Sequence, residues 1–134
     1  MKQVTAALLI KNGLCLIAKR RDGDHLAKLW EFPGGKIEAG ETPEECLRRE
    51  MNEEFQIDVK VGRFFSESIY SYDTGTIQLL VYWVIWQGNS LNPVVHEEIA
   101  WVDKETILNY QFAPADIPIV EKLRCHEGDL LICT

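Results

Sequence analysis

The sequence predicts an α+β domain, and three observations carry that expectation. Two apolar runs, Val4 to Ile10 and Leu14 to Lys19, are parted only by Lys11-Asn12-Gly13, the composition of a hairpin. Two longer runs, Val59 to Ser68 and Ile77 to Trp86, are rich in β-branched and aromatic residues, which suit a pleated, half-buried surface. Between the pairs stands Thr42-Pro43-Glu44-Glu45, a helix start with Thr42 as N-cap, Pro43 in the first helical position and Glu45 placed to close a capping box.

In chain order, the first hairpin gives way to Leu29-Trp30-Glu31-Phe32 and then Phe32-Pro33-Gly34-Gly35. The latter reads as a tight turn whose paired glycines either let the backbone approach a ligand or adopt positive φ. The capped helix is expected from Pro43 to about Phe55, with Cys46, Leu47 and Met51 as its buried stripe. The second pair of strands turns at Tyr72-Asp73-Thr74-Gly75. Ile99 to Val102 adds a short strand, and a second helix is expected from Pro118 to about Arg124 on a stripe of Ile119, Val120 and Leu123. The polar tail from His126 to Thr134 is interrupted by Leu130, Leu131 and Ile132, a segment fit to dock as an edge strand or on a partner. Trp30, Trp83, Trp86 and Trp101 suit core, binding-site lining or an interface.

A chain of 134 residues with 46% hydrophobic content matches one domain, 1–134, with a real core. A net charge of −7 argues against a nucleic-acid polymer as partner, since such surfaces are basic, and leaves a free nucleotide open. Cys15, Cys46, Cys125 and Cys133 have no C-x-x-C spacing, and Cys15 and Cys46 sit among apolar neighbours. Neither a signal-peptide run nor a membrane-spanning run is present, so a cytoplasmic protein with reduced thiols is expected.

The chemistry concentrates in Glu50, Glu53 and Glu54. At i, i+3 and i+4 on a helix they share one face, where like charges repel by roughly a few tenths of a kcal/mol per pair. A hard divalent cation turns that repulsion into shared coordination; a solvated acidic face is the bland alternative. A glycine-rich loop, a capped helix and an acidic face together suit a magnesium-bound polyphosphate.

From Gly35 to Ile57 the chain resembles the Nudix box, G-x5-E-x7-R-E-U-x-E-E-x-G-U with U aliphatic, at Gly35, Glu41, Arg49, Glu50, Met51, Glu53, Glu54 and Ile57. Gln56 stands where that family has its last glycine, so the helix must end without the residue that enters left-handed conformations most easily. Ala18-Lys19-Arg20-Arg21, Leu29 to Lys36 and Phe112 to Pro118 further resemble the MutT branch of nucleoside triphosphate pyrophosphohydrolases.

This resemblance implies an α/β/α sandwich with a mixed β-sheet between helices. It implies Mg²⁺, or Mn²⁺, on Glu50, Glu53, Glu54 and the Gly34 carbonyl. One carboxylate, directly or through the metal, is expected to help deprotonate the attacking water; members of the family differ in which, and Glu53 is preferred here. A further catalytic carboxylate is expected from the loop Val95 to Trp101, where Glu98 is preferred to Glu97; His96, like His25 and His126, is left out of the catalytic set. Arg49 is expected to tie the helix to the loop through Glu41. The segments that match also imply substrate contacts for Arg20, Phe32, Lys36 and Asp116. Phe32 reads equally well as a stacking face or as plain core. An ionised Asp116 only accepts hydrogen bonds and suits a cytosine amino group, whereas a protonated, buried Asp116 suits an oxidised purine.

The expected activity is hydrolysis of CTP, dCTP, a 5-modified dCTP or 8-oxo-dGTP to the nucleoside monophosphate and pyrophosphate, by a monomer or homodimer. A second reading is hydrolysis of a nucleotide sugar or dinucleoside polyphosphate. Relatives that cleave ADP-ribose usually carry a proline some fifteen residues past the box, and this chain has none between Pro43 and Pro93. A third reading, a non-catalytic nucleotide sensor, conflicts with retention of every acidic residue of the box.

Overall fold

The computed structural model describes residues 1–23, 26–88 and 90–126. Its elements are β1 (Lys2–Lys11), β2 (Leu14–Lys19), β3 (Trp30–Glu31), β4 (Gly34–Lys36), α1 (Pro43–Phe55), β5 (Lys60–Tyr72), β6 (Gly75–Ile85), β7 (Glu98–Val102), 3-10 turns at Thr106–Asn109 and Pro114–Asp116, and α2 (Ile117–Arg124). The expected first hairpin, second strand pair, short strand and two helices are all present. His25, Cys133 and the tail beyond His126 lie outside the described residues.

The strands form one mixed sheet in the order β3-β2-β1-β6-β5, with β4 also on β1 and β7 also on β2. β1 runs parallel to β6 from Lys2↔Ile77 to Ile10↔Ile85, and the other pairings are antiparallel. Asn12 and Gly13, at φ 53° and 78°, give the first hairpin the left-handed pair that a two-residue I′ turn requires. β1 and β2 stay paired only at Ile10↔Cys15 and Lys11↔Leu14. Beyond that they splay, and residues 30–36 wedge into the opening. β3 pairs Ala18↔Glu31 on one side, and β4 pairs Ala6↔Gly34 and Thr5↔Gly35 on the other. The bridge Trp30↔Phe112 then brings residues 111–116 to the same opening. This split is what builds the site.

Alternation along β1 feeds two cores, because successive side chains face opposite sides of a sheet. Ala7 and Leu9 meet Leu16, Ala18 and the α1 stripe of Leu47, Met51 and Phe55. Ala6, Leu8 and Ile10 meet Ile17, Val81, Trp83 and the α2 stripe of Ile119, Val120 and Leu123. The sheet therefore lies between the helices, the α/β/α arrangement that the resemblance implies. Trp83 belongs to the second core and Trp86 to the first.

α1 begins as expected. The Thr42 side chain accepts from the Glu45 N–H at 3.1 Å while the Glu45 carboxylate accepts from the Thr42 N–H at 2.9 Å. It ends on Gln56 at φ 59°, ψ 40°, so a glutamine takes the left-handed cap that glycine would fill at no steric cost. The amide of Asn92 donates to the Gln56 side chain at 2.9 Å and holds that end.

The glycine pair departs from expectation: Gly34 and Gly35 are strand residues, not a turn, and neither has positive φ. Glycine is required there by space. A Cβ on Gly34 would press into the Thr5 carbonyl and come within 2.9 Å of the Ala6 Cα, and one on Gly35 would lie 2.6 Å from each oxygen of Glu50.

Candidate active site

Where β1 and β2 part, a cavity of about 380 Å³ opens along the wedge of residues 31–36. Its lining brings together Gly34, Lys36 and Glu54 with Arg20, Phe32 and Asp116, and also takes in Glu31, Tyr72 and His96. Predicted residues from three separate segments thus face one space.

Arg49 organises the acidic face of α1. Its Nε and Nη2 donate to the two oxygens of Glu41 at 2.7 and 3.0 Å, and Nη2 also donates to the Lys36 carbonyl at 3.1 Å. The tie to the loop is as expected. The same guanidinium also reaches Glu50 at 2.8 Å and Glu53 at 3.2 Å through Nη1, so an arginine already offsets the charge crowding at two of the three glutamates. It holds the Glu41 carboxyl down at about 2, chiefly through those hydrogen bonds. Beside it the buried Cys46 thiol lies 3.4 to 3.5 Å from the Lys36 and Gly35 carbonyls, and burial pushes it up to about 11.

Glu54 has no such compensation. Its Oε1 is out of solvent with no hydrogen-bond partner among the described residues. Burial first, then the neighbouring charges of Glu50 and Glu31, push its carboxyl up to about 10, against a weaker opposing hydrogen bond from the Gly34 backbone. Among the described residues no three His, Cys, Asp or Glu groups stand ready around a common metal position. Arg49 holds Glu50 and Glu53, and Glu54 lines the cavity.

In the same lining, the Phe32 N–H donates to Asp116 Oδ1 at 3.2 Å. Asp116 is buried, and its carboxyl is held well above the usual range by that burial and by the charge of Glu31, against the opposing effects of the Phe32 N–H and Arg20. Burial thus shifts Asp116 towards the protonated alternative raised by the sequence. Phe32 is both core and wall: it is buried, tilts against Phe112 at 5.4 Å, and lines the cavity. Tyr72 accepts the Ala115 N–H at 2.9 Å and fixes the turn that carries Asp116.

Glu98 is not brought to this cavity. It is the exposed first residue of β7, opposite Lys19 in the β2–β7 register. Pairing with β2 claims this segment for the sheet, and Glu97 before it is spent on ion pairs with Lys19, at 3.4 Å, and Lys28. The cavity receives instead two residues that sequence reasoning left aside. Glu31 Oε1 accepts from Arg20 Nη1 at 2.6 Å, and Glu31 Oε2 accepts from His96 Nε2 at 2.9 Å. The only trace of Glu31 in the sequence is its place in the run that precedes the glycines. For His96, next to Val94-Val95 and Glu97-Glu98, local pattern gives no sign that the ring is buried.

A NUDIX domain family model matches residues 5–122. The chain is 35% identical over 121 residues to the CTP pyrophosphohydrolase of Escherichia coli K12, covering 90% of each chain. It is 34% identical to the 8-oxo-dGTP diphosphatase of Haemophilus influenzae, covering 88% of each. Among solved structures, that of the E. coli ORF135 protein superposes with a TM-score of 0.80 at 32% identity, over 93% of this chain and 89% of that one. Members of this family generally work with a divalent metal, and no helix among the described residues is long and apolar enough to cross a membrane. With a family model over most of its length and relatives above 30% identity across nine tenths of it, the chain belongs to the Nudix hydrolase family, in its MutT-like branch.

Proposed function

We propose that this chain is a magnesium-dependent nucleoside triphosphate pyrophosphohydrolase of the nucleotide-pool type, releasing a nucleoside monophosphate and pyrophosphate. The observation that supports the reading is one continuous cavity. Its lining holds an aromatic ring and a buried acid, Phe32 and Asp116, together with a carboxylate and glycine-rich backbone, Glu54 and Gly34 to Lys36. A base fits against the first pair and a polyphosphate against the second group.

The residues present suit a hard cation. Glu50, Glu53, Glu54 and the Gly34 carbonyl offer oxygen donors alone, which favours Mg²⁺ or Mn²⁺ over softer metals. The unpartnered Glu54 Oε1 is a buried acceptor that a cation would satisfy. When bound, the metal supplies charge neutralisation on the phosphates and acidifies nearby water. The chain's own residues do the rest. Glu53, whose side chain is 58% exposed, takes the proton of the attacking water, and Lys36 belongs to the group set against the polyphosphate. Arg49 keeps Glu50 and Glu53 in place without touching substrate. Phosphoryl transfer of this kind rests on positioning and electrostatics.

For the base, a protonated Asp116 offers one O–H donor beside an acceptor oxygen. That pair matches the N3 and amino group of cytosine and also the donor–acceptor edge of an oxidised guanine, the bases in the names of the two relatives. CTP, dCTP, 5-modified dCTP and 8-oxo-dGTP are therefore the candidate substrates. The test is product release with Mg²⁺ across these triphosphates, dGTP, ADP-ribose and diadenosine polyphosphates, separating pyrophosphate from orthophosphate. Pyrophosphate from a pyrimidine or oxidised purine triphosphate is expected. Turnover of a diphosphate conjugate alone would overturn the reading.

A further inference from the structure

We infer that His96 is a positioning residue for the base-binding part of the site, acting through Glu31 on Arg20; the inference rests on the proposed hydrolysis of a nucleoside triphosphate. His96 is buried in the cavity wall, and its ring lies parallel to that of Phe55, with centroids 5.5 Å apart and planes 6° apart. Phe55 is the last residue of α1 and follows Glu54. The Val94 N–H donates to the Glu54 carbonyl at 2.9 Å and the Asn92 N–H to the Phe55 carbonyl at 3.0 Å. The segment that carries His96 is thus fastened to the end of the acidic helix.

From there the contacts run in one direction. A carboxylate only accepts, so His96 Nε2–H donates to Glu31 Oε2 at 2.9 Å, and the other oxygen of Glu31 holds Arg20 at 2.6 Å. Both carboxylate oxygens are engaged, which fixes the plane of the carboxyl and with it the direction of the guanidinium. Arg20, Glu31 and His96 all face the cavity. A ring kept only for packing has no need of nitrogens here. Nδ1 is buried with no hydrogen-bond partner among the described residues, a cost that a phenylalanine stacked on Phe55 would avoid. The Nε2 bond to Glu31 is what the fold retains at that cost. His96 therefore ties the helix that bears Glu50, Glu53 and Glu54 to the arginine beside the base.

The test compares His96→Phe, which keeps the stack and loses the donor, with His96→Gln, which keeps a donor near the Nε2 position, and Glu31→Gln, which removes the charge that holds Arg20. The first readout is the guanidinium NMR signals of Arg20, assigned by their loss in Arg20→Lys. They are expected to shift in His96→Phe and Glu31→Gln and to return towards the native position in His96→Gln. The second is the KM and kcat for CTP, dCTP and 8-oxo-dGTP. Loss of a hydrogen bond to a charged group predicts a KM raised about ten- to a hundredfold in His96→Phe, a smaller change in kcat, and partial rescue in His96→Gln. Unmoved Arg20 signals in His96→Phe, or equal losses in kcat with both His96 variants, would overturn the inference. A native enzyme silent on every triphosphate whose Arg20 signals nonetheless move in His96→Phe would leave the positioning role standing and sink the proposed function.

Discussion

Arg49 grips Glu41 with two parallel hydrogen bonds, Nε to Oε2 at 2.7 Å and Nη2 to Oε1 at 3.0 Å. This fork-on-fork pairing is the strongest geometry open to an arginine, and it staples α1 to the segment that follows the paired glycines. Its consequence appears in acid. A carboxyl held at about 2 in the fold, against an ordinary 4.5, contributes stability that is complete above about 4.5 and is lost as pH falls towards about 2. Replacing Arg49 by Met is expected to lower Tm near neutral pH and to flatten the decline of Tm between those two values. An acid limb of the same slope in both proteins would show that the fork does not stabilise the fold.

Glu54 behaves in the opposite sense. A buried carboxyl pushed upward stays protonated in the fold at neutral pH while the unfolded chain ionises it, and this difference favours unfolding. Glu54→Gln keeps the shape and removes the penalty. The variant is expected to melt higher than the native protein in EDTA, to lose any rise in Tm with millimolar Mg²⁺, and to turn over about 10²- to 10³-fold more slowly. Thermal melts with and without Mg²⁺, alongside initial rates, check all three; a lower Tm in EDTA would refute the account of Glu54 as an uncompensated acid.

The elements that follow from local rules were legible in the sequence. The capping box at Thr42 and Glu45, the apolar stripes of both helices and the I′ turn at Asn12-Gly13 each depend on residues a few positions apart. What was not legible depends on tertiary contact. Gly34 and Gly35 read as a turn because glycine pairs usually bend a chain, and only the approach of Thr5 and Glu50 reveals them as strand. Glu98 was preferred to Glu97 on the family resemblance of its loop, but strand pairing with β2, set 79 residues away at Lys19, keeps it out of the cavity. Glu31 and His96 lie 65 positions apart, and no local pattern announces their contact. Gln56 shows the converse: the sequence flagged the missing glycine, and the backbone adopts the left-handed cap regardless.

The paired glycines yield a contrast between activity and stability. In Gly35→Ala the methyl collides with the movable end of Glu50, whereas in Gly34→Ala it collides with the backbone of Thr5 and Ala6. A flexible side chain yields and a paired strand does not. Gly35→Ala is therefore expected to fold with a modest loss of stability and to lose turnover through displacement of Glu50. Gly34→Ala is expected to cost about 2 kcal/mol or more. Urea unfolding and initial rates on each variant separate the two effects; similar stability losses for both would mean that β4 can move away from β1.

Asp116 supplies the sharpest test of how the base is read. Burial holds its carboxyl well above the usual range, so the donor form is present below that raised value and disappears as pH climbs through it. A substrate that needs the Asp116 O–H should show a KM that rises with pH in the native enzyme. Asparagine preserves the acceptor for the Phe32 N–H and supplies an N–H donor that does not titrate. In Asp116→Asn the KM for such a substrate is expected to stay flat with pH, and native and variant should agree within about tenfold at neutral pH, since the same number of hydrogen bonds is made. Asp116→Ala leaves the Phe32 N–H buried without a partner and should lose both affinity and stability. The measurement is KM against pH for dCTP and 8-oxo-dGTP in all three proteins. A base that pairs only with an ionised Asp116 would give the reverse trend, with KM falling as pH rises in the native enzyme and lost affinity at every pH in the asparagine variant.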